Sequence, residues 1–202
     1  MRTTLSFLTL ILSLALPLHA AELDRAAAAL AGNEAQFTQH FTPKGFKTAQ
    51  VEGGTVIFGT LPMMRWSYSR PEEKLFVFDG EHSWFYVPGD KQVTVTALDA
   101  TRRSELPFLL IGDPGGRDKN FVVRESTRGR SAVVTLQPRS ASAMIRSVVI
   151  TIAADTHLIQ RVDYTDREGN QTTFELADMH KRAVSNDLFH FTPPAGVQVV
   201  EQ

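Results

Sequence analysis

The chain contains no cysteine. That excludes disulfide staples, thiolate metal sites and cysteine nucleophiles. It also excludes acylation of the chain itself at a lipoprotein-type cleavage site, a modification that needs a thiol. An excess of either charge is missing too. With Arg2 removed alongside the N-terminal segment, 20 basic residues face 22 acidic ones, a net charge near −2. This balance gives no electrostatic reason to expect nucleic acid, and no strong overall pull toward an anionic membrane.

Long apolar runs are absent except at the start. Met1-Arg2 supplies a positive end, Leu5 to Leu18 is almost wholly apolar, and Leu18-His19-Ala20 ends on a small residue. The run is shorter than the ~20 residues that span a bilayer. Residues 1–20 are therefore read as a signal peptide cleaved after Ala20, with export to the periplasm, and 21–202 as one domain.

Catalytic motifs are missing as well. His40, His82, His157, His180 and His190 show no metal-ligand spacing, and His190 reads as solvent-facing on a strand between Phe189 and Phe191. There is no nucleophile elbow, no S-x-x-K, no H-E-x-x-H and no P-loop. Asp79 before Gly80 reads as a hairpin-turn residue. The expectation is a non-enzyme with no metal and no cofactor.

What the chain does have is alternation. After a helix expected over 22–31, with Leu23, Ala26, Ala27 and Leu30 on one face and Gly32-Asn33 as its stop, the apolar period changes from 3.6 to 2. Met64, Trp66 and Tyr68 point one way and Arg65, Ser67 and Ser69 the other. Val93 and Val95 alternate with polar neighbours, as do Thr172, Phe174 and Leu176. Turn signals at Asp79-Gly80, Pro88-Gly89-Asp90, Gly129 and Glu168-Gly169-Asn170 make the strands antiparallel neighbours, about ten or eleven in number. Gly53-Gly54 reads as a bulge.

Residues 101–112 break the rhythm. Pro107 can open a short helix, Gly112 fits a C′ position, and Phe108-Leu109-Leu110-Ile111 is apolar all round, so this helix must be buried across the sheet. Asp113-Pro114-Gly115-Gly116 reads as a flexible loop beside it. Leu75-Phe76-Val77-Phe78 and Trp84-Phe85-Tyr86-Val87 are apolar on both faces, which requires a second layer or a ligand to cover them. The 13 phenylalanines allow either a packed core or a lined cavity.

Several runs, in this order, resemble a known family. They are Phe37-x-Gln39, the Trp66 strand ending in Pro71, Asp79-Gly80-x-x-x-Trp84-Phe85-Tyr86 with Pro88, Pro107 to Ile111, and Phe189-x-Phe191-Thr192-Pro193-Pro194-x-Gly196-Val197. Together they resemble the periplasmic outer-membrane lipoprotein carriers, the LolA family. The resemblance implies a mainly β fold with α: a strongly curved antiparallel sheet, an unclosed half-barrel, with short helices as a lid over the apolar concave face. It implies a carrier that shields lipoprotein acyl chains. Such a carrier takes its cargo from an inner-membrane ABC transporter and hands it to an outer-membrane receptor.

Carried over by position, Met64 and Trp66 match cavity-facing strand positions, and Phe108 and Ile111 match the lid helix; these four are the candidate lipid-binding residues. A monomer is expected, and lipid uptake by the lid around Phe108 swinging from the Met64–Trp66 strand. One departure stands out. Thr60-Leu61-Pro62-Met63-Met64-Arg65-Trp66 lacks the arginine with which the family latches its lid, and Arg65 points the wrong way to replace it. A paralogue carrying another lipid, or a lipid-sensing regulatory module, are the alternative readings.

Overall fold

The computed structural model describes residues 21–202. The expected signal segment and its cleavage point lie outside the described residues.

The first element is α1 (Ala21–Leu30), whose Leu23, Ala26 and Leu30 are buried on one face. Both expected stop residues act. Gly32 takes φ +72°, a left-handed conformation that costs glycine little, and Asn33 donates from Nδ2 to the carbonyls of Ala29 and Leu30. Then come β1 (Asn33–Thr42), β2 (Gln50–Phe58), β3 (Met64–Arg70), β4 (Lys74–Phe78), β5 (His82–Val87) and β6 (Gln92–Ala97). Three helices follow, α2 (Ala100–Glu105), α3 (Pro107–Ile111) and α4 (Pro114–Asn120). The chain returns to strand for β7 (Phe121–Arg128), β8 (Ser131–Pro138), β9 (Ile145–Ala153), β10 (Ile159–Asp166) and β11 (Gln171–Lys181), and ends on β12 (Gln198–Glu201).

All twelve strands form one sheet in the order β12-β6-β5-β4-β3-β2-β1-β11-β10-β9-β8-β7. Two antiparallel meanders are thus joined through the β1–β11 ladder, and the edges β7 and β12 do not meet. Only β12 is parallel to its neighbour, pairing Val199 with Val93. It is also the strand beyond the ten or eleven expected, too short at four residues to show an alternating pattern.

The sheet is strongly curved. One core cluster contains Val56 and Trp66 of β2 and β3 together with Val134 and Ile150 of β8 and β9, plus Leu23 of α1 and Leu110 of α3. Strands so far apart in the order can share a core only if the sheet curls around the helices. The opposite, convex face has its own cluster. Ile57, Val77, Val93, Trp84 and Tyr86 are covered by Leu188, Phe189 and Phe191, from the segment between β11 and β12. The doubly apolar β4 and β5 are thereby explained: on the convex side the chain's own C-terminal segment supplies the second layer. His190 is exposed there as expected, but it follows a 3-10 turn, Asn186–Phe189, and is not on a strand.

The turn chemistry follows the sequence with one exception. Gly80, Gly129 and Gly169 all take positive φ, whereas in the turn after β5 the left-handed residue is Lys91, φ 50°, and not Gly89. The Gly53-Gly54 bulge is a register shift in the β2–β3 ladder. A Cβ on Gly54 would stand 1.9 Å from the Ser67 carbonyl oxygen, so only glycine admits this approach.

Asp79 does more than turn the chain. Its carboxylate accepts from the backbone N–H of Glu81 and His82 and from Trp84 Nε1 at 2.8 Å. Desolvation raises its pKa, but these donors outweigh it and hold the carboxyl below its usual range. The stabilisation is therefore present above the ordinary carboxylate pKa and is lost as pH falls through the depressed one. Asp79→Ala should cost about 1–3 kcal/mol in urea unfolding at neutral pH, chiefly from the orphaned indole N–H, and less in acid. An equal cost at both pH values would contradict this account.

The lid segment carries two helices, α2 and α3, the second opened by Pro107 as expected. Leu106 adopts an extended conformation and separates them, so that Pro107 opens α3 at its first position. Asp113-Pro114-Gly115-Gly116 is not a flexible loop. Asp113 caps α4 by accepting from Gly116 N–H, and Pro114 occupies its first turn. A Pro-Gly-Gly run reads as a breaker because the cap that recruits it is visible only in three dimensions. Gly112 is not left-handed, with φ −88°; a Cβ there would meet that of Leu61 at 2.4 Å.

Candidate functional site

Period-2 alternation sets Met64, Trp66 and Tyr68 of β3 on the concave face, and the neighbouring β4 adds Phe76 and Phe78. The lid residues Leu106 to Leu109 lie across them. Together with Gln39, Tyr164 and Phe174 they line a cavity of about 220 Å³ that opens to solvent.

Trp66 is its centre. Its ring meets Phe37 edge-on at 5.0 Å between centroids and Phe108 of the lid at 4.8 Å, with Phe174 at 5.3 Å. Phe108 is itself edge-on to Phe174 at 5.5 Å. Edge-to-face pairs of this kind contribute about 0.5–1.5 kcal/mol each beyond area burial, and they hold α3 down on the sheet.

Two of the polar groups in the wall pair with each other. Tyr68 Oη donates to Gln39 Oε1 at 2.6 Å. Burial pushes the Tyr68 phenol far above its ordinary value, with Glu52 and Tyr164 adding to the rise; burial also raises Tyr164. Both phenols stay neutral at physiological pH. The wall carries no charge, which suits an alkyl chain and disfavours an ionic ligand.

Of the four candidate residues, three meet here: Met64, Trp66 and Phe108 line the cavity. Ile111 does not. It is fully buried in the concave core, and a five-residue helix brings only its first turn over the cavity. Sequence reasoning missed Phe76, Phe78 and Phe174. For Phe76 and Phe78 the i, i+2 spacing was readable, but a strand apolar on both sides gave no sign of which side was concave; for Phe174 the alternation was readable, but not that β11 lies beside β1 and so faces the same hollow.

Arg65 points away from the cavity, as alternation requires. Nη1 donates to the Leu188 carbonyl at 3.3 Å, pinning the segment on the convex face, and burial lowers its pKa. Two other arginines tie the lid down. Arg103 of α2 donates from Nε to the Leu98 carbonyl and from Nη2 to that of Gly80, fastening the lid's root to the sheet. Arg117 of α4 is 1% exposed and reaches α1, donating from Nη2 to Asp24 Oδ1 at 2.8 Å. Its Nε lies 3.4 Å from Asp118 Oδ1, and its Nη1 is buried without a partner.

Among the described residues no cluster of histidine and carboxylate side chains is placed to hold a metal ion, and no helix is long and apolar enough to cross a membrane.

A family model described as "Outer membrane lipoprotein carrier protein LolA" matches residues 28–192. The chain is similar to an outer-membrane lipoprotein carrier protein of Nitrosospira multiformis, with 32% identity over 83% of this chain and 81% of the relative. One from Pectobacterium carotovorum is 30% identical over 83% and 80% of the two chains. Among solved structures, an uncharacterized conserved protein of Thermus thermophilus has the same fold. It shares 12% identity at a TM-score of 0.60, with 90% of this chain and 98% of the other covered.

Proposed function

Because the chain belongs to the outer membrane lipoprotein carrier (LolA) family, we propose that it is a periplasmic carrier that shields lipoprotein acyl chains in the aromatic cavity beneath α3. The supporting observation is an uncharged cavity roofed by Phe108, on strands whose opposite face is covered across β2 to β6 by the chain itself. Each acyl CH₂ withdrawn from water is worth about 0.8 kcal/mol, so passage through the periplasm needs such a cover. The donor is an inner-membrane ABC transporter and the acceptor an outer-membrane receptor; the chain itself works as a monomer, exported by a cleaved N-terminal signal.

Met64, Trp66 and Phe108 contact the acyl chains. Ligand pockets ordinarily measure ~300–1,000 Å³, and the 220 Å³ cavity falls below that range. Room for an acyl chain is made when α3 lifts Phe108 from Trp66 and Phe174.

The test is native mass spectrometry of the protein from periplasm co-expressing an acylated model lipoprotein. A one-to-one complex that disappears with a non-acylated passenger is the expected result. Protein that holds only a small free lipid would point to the transport of another lipid and overturn the reading.

A further inference from the structure

We propose that one rim of the sheet is a docking surface for anionic phospholipid bilayers, with Phe46 as the side chain that enters the headgroup layer. The β1–β2 loop is Pro43-Lys44-Gly45-Phe46-Lys47-Thr48-Ala49, and Phe46 is 70% exposed between its two lysines. An exposed phenylalanine on a loop tip contributes nothing to a core. Flanking lysines keep it in water until a negative apolar boundary is offered.

The loop belongs to a larger surface. Lys44 N–H donates to Asn170 Oδ1, setting the β1–β2 loop against the β10–β11 turn. Arg167 N–H donates to the Met144 carbonyl, setting that turn against the β8–β9 loop. Three connections therefore stand side by side at one end of the sheet. Met144 is a second exposed apolar side chain on this rim, at 42%.

Charge on the rim departs from that of the whole. Lys44, Lys47, Arg139, Arg146 and Arg167 are all exposed there, with Arg70 on the neighbouring β3–β4 turn, against the carboxylates of Asp166, Glu168, Glu72 and Glu73, in a chain of formal net charge −1. Asp166 is further occupied in accepting hydrogen bonds from Gly169 and Asn170. Beside Met144 a cleft of about 430 Å³ is lined by Lys119, Asn120, Arg139, Ser140 and Ser142, with Glu105 also in its wall. Two cations with hydroxyl and amide donors match a phosphate headgroup, whereas the apolar tips match the boundary beneath it. An acidic protein surface would use the cations but would leave Phe46 in water, so the bilayer is the occupant that accounts for both.

The experiment is co-sedimentation of the purified protein with phosphatidylcholine vesicles and with equimolar phosphatidylcholine–phosphatidylglycerol vesicles at low salt. Binding is expected to the anionic vesicles only and to fall as salt is raised. Lys44→Gln and Lys47→Gln should each weaken it about fivefold, and Phe46→Ser about tenfold. The emission of Phe46→Trp should shift to shorter wavelength on binding. These residues are exposed and do not line the cavity, so thermal stability and acyl-probe uptake should not change. Equal retention on both vesicles, or retention unaffected by the three substitutions, overturns the proposal. So does capture of an acidic protein domain without any vesicle binding. Because bare vesicles are the probe, failure here leaves the carrier reading untouched.

Discussion

Trp66→Ala should lower the unfolding free energy by about 3–5 kcal/mol, the range for deleting a buried aromatic from a core that cannot fully collapse. The indole is buried and touches Phe37, Phe58, Phe108 and Phe174, rings carried by β1, β2, α3 and β11. Four elements lose a common partner at once, and the void opens into the existing cavity. Function should move the other way. Phe108 loses its 4.8 Å edge contact, so the closed lid is weakened and a fluorescent fatty acid should enter faster, even as the fold becomes less stable. Urea unfolding and stopped-flow uptake measure the two effects on one sample. A loss below about 1 kcal/mol, or slower uptake, would remove Trp66 from the role assigned to it. The chain has two tryptophans, so Trp84→Phe leaves Trp66 as the sole indole reporter of cavity occupancy.

The second large effect is an asymmetry. Removing Asp24 leaves the buried Arg117 guanidinium with Asp118 at 3.4 Å and with Nη1 already unpartnered. Breaking a buried pair from one side costs ~3–5 kcal/mol; because Asp24 is itself 41% exposed, Asp24→Ala should fall below that range, at about 2–3 kcal/mol. Arg117→Met removes the charge with its desolvation penalty and keeps most of the buried volume, and should cost less than about 1 kcal/mol. Since the pair joins α1 to α4, Asp24→Ala should also accelerate acyl uptake. Thermal unfolding of the two variants decides the matter, and the reverse order would show that Arg117 is held by something other than Asp24.

The meander, its turns and the helix at the start were legible in the sequence because each rests on a local rule. Gly32-Asn33 caps a helix, Asp79-Gly80 turns a hairpin, and the β3 alternation separates Trp66 from Arg65 without knowledge of any neighbour. What stayed hidden depends on contacts distant in sequence. Ile111 and Phe108 look alike as lid residues, and only the line along which α3 crosses β3 divides them. Leu75 and Val77 are no different in kind from Phe76 and Phe78; only the folded chain shows that Phe189 and Phe191 cover the side of Leu75 and Val77, leaving Phe76 and Phe78 to the hollow. The rim has the same character. A net charge near zero conceals the cations gathered at one end, since summing charge along a chain discards its position.

The C-terminal segment on the convex face has a mechanical consequence. An open gutter of strands with no seam tends to flatten once whatever fills its hollow is withdrawn. Here the filling must come and go. Phe189 and Phe191 pack across β2, β4, β5 and β6 from outside, Arg65 anchors the segment's Leu188, and β12 then hydrogen-bonds to the free edge of β6. The segment works as an external splint. It holds one wing of the gutter in shape while the lid is raised, so emptying the hollow does not unmake the wall.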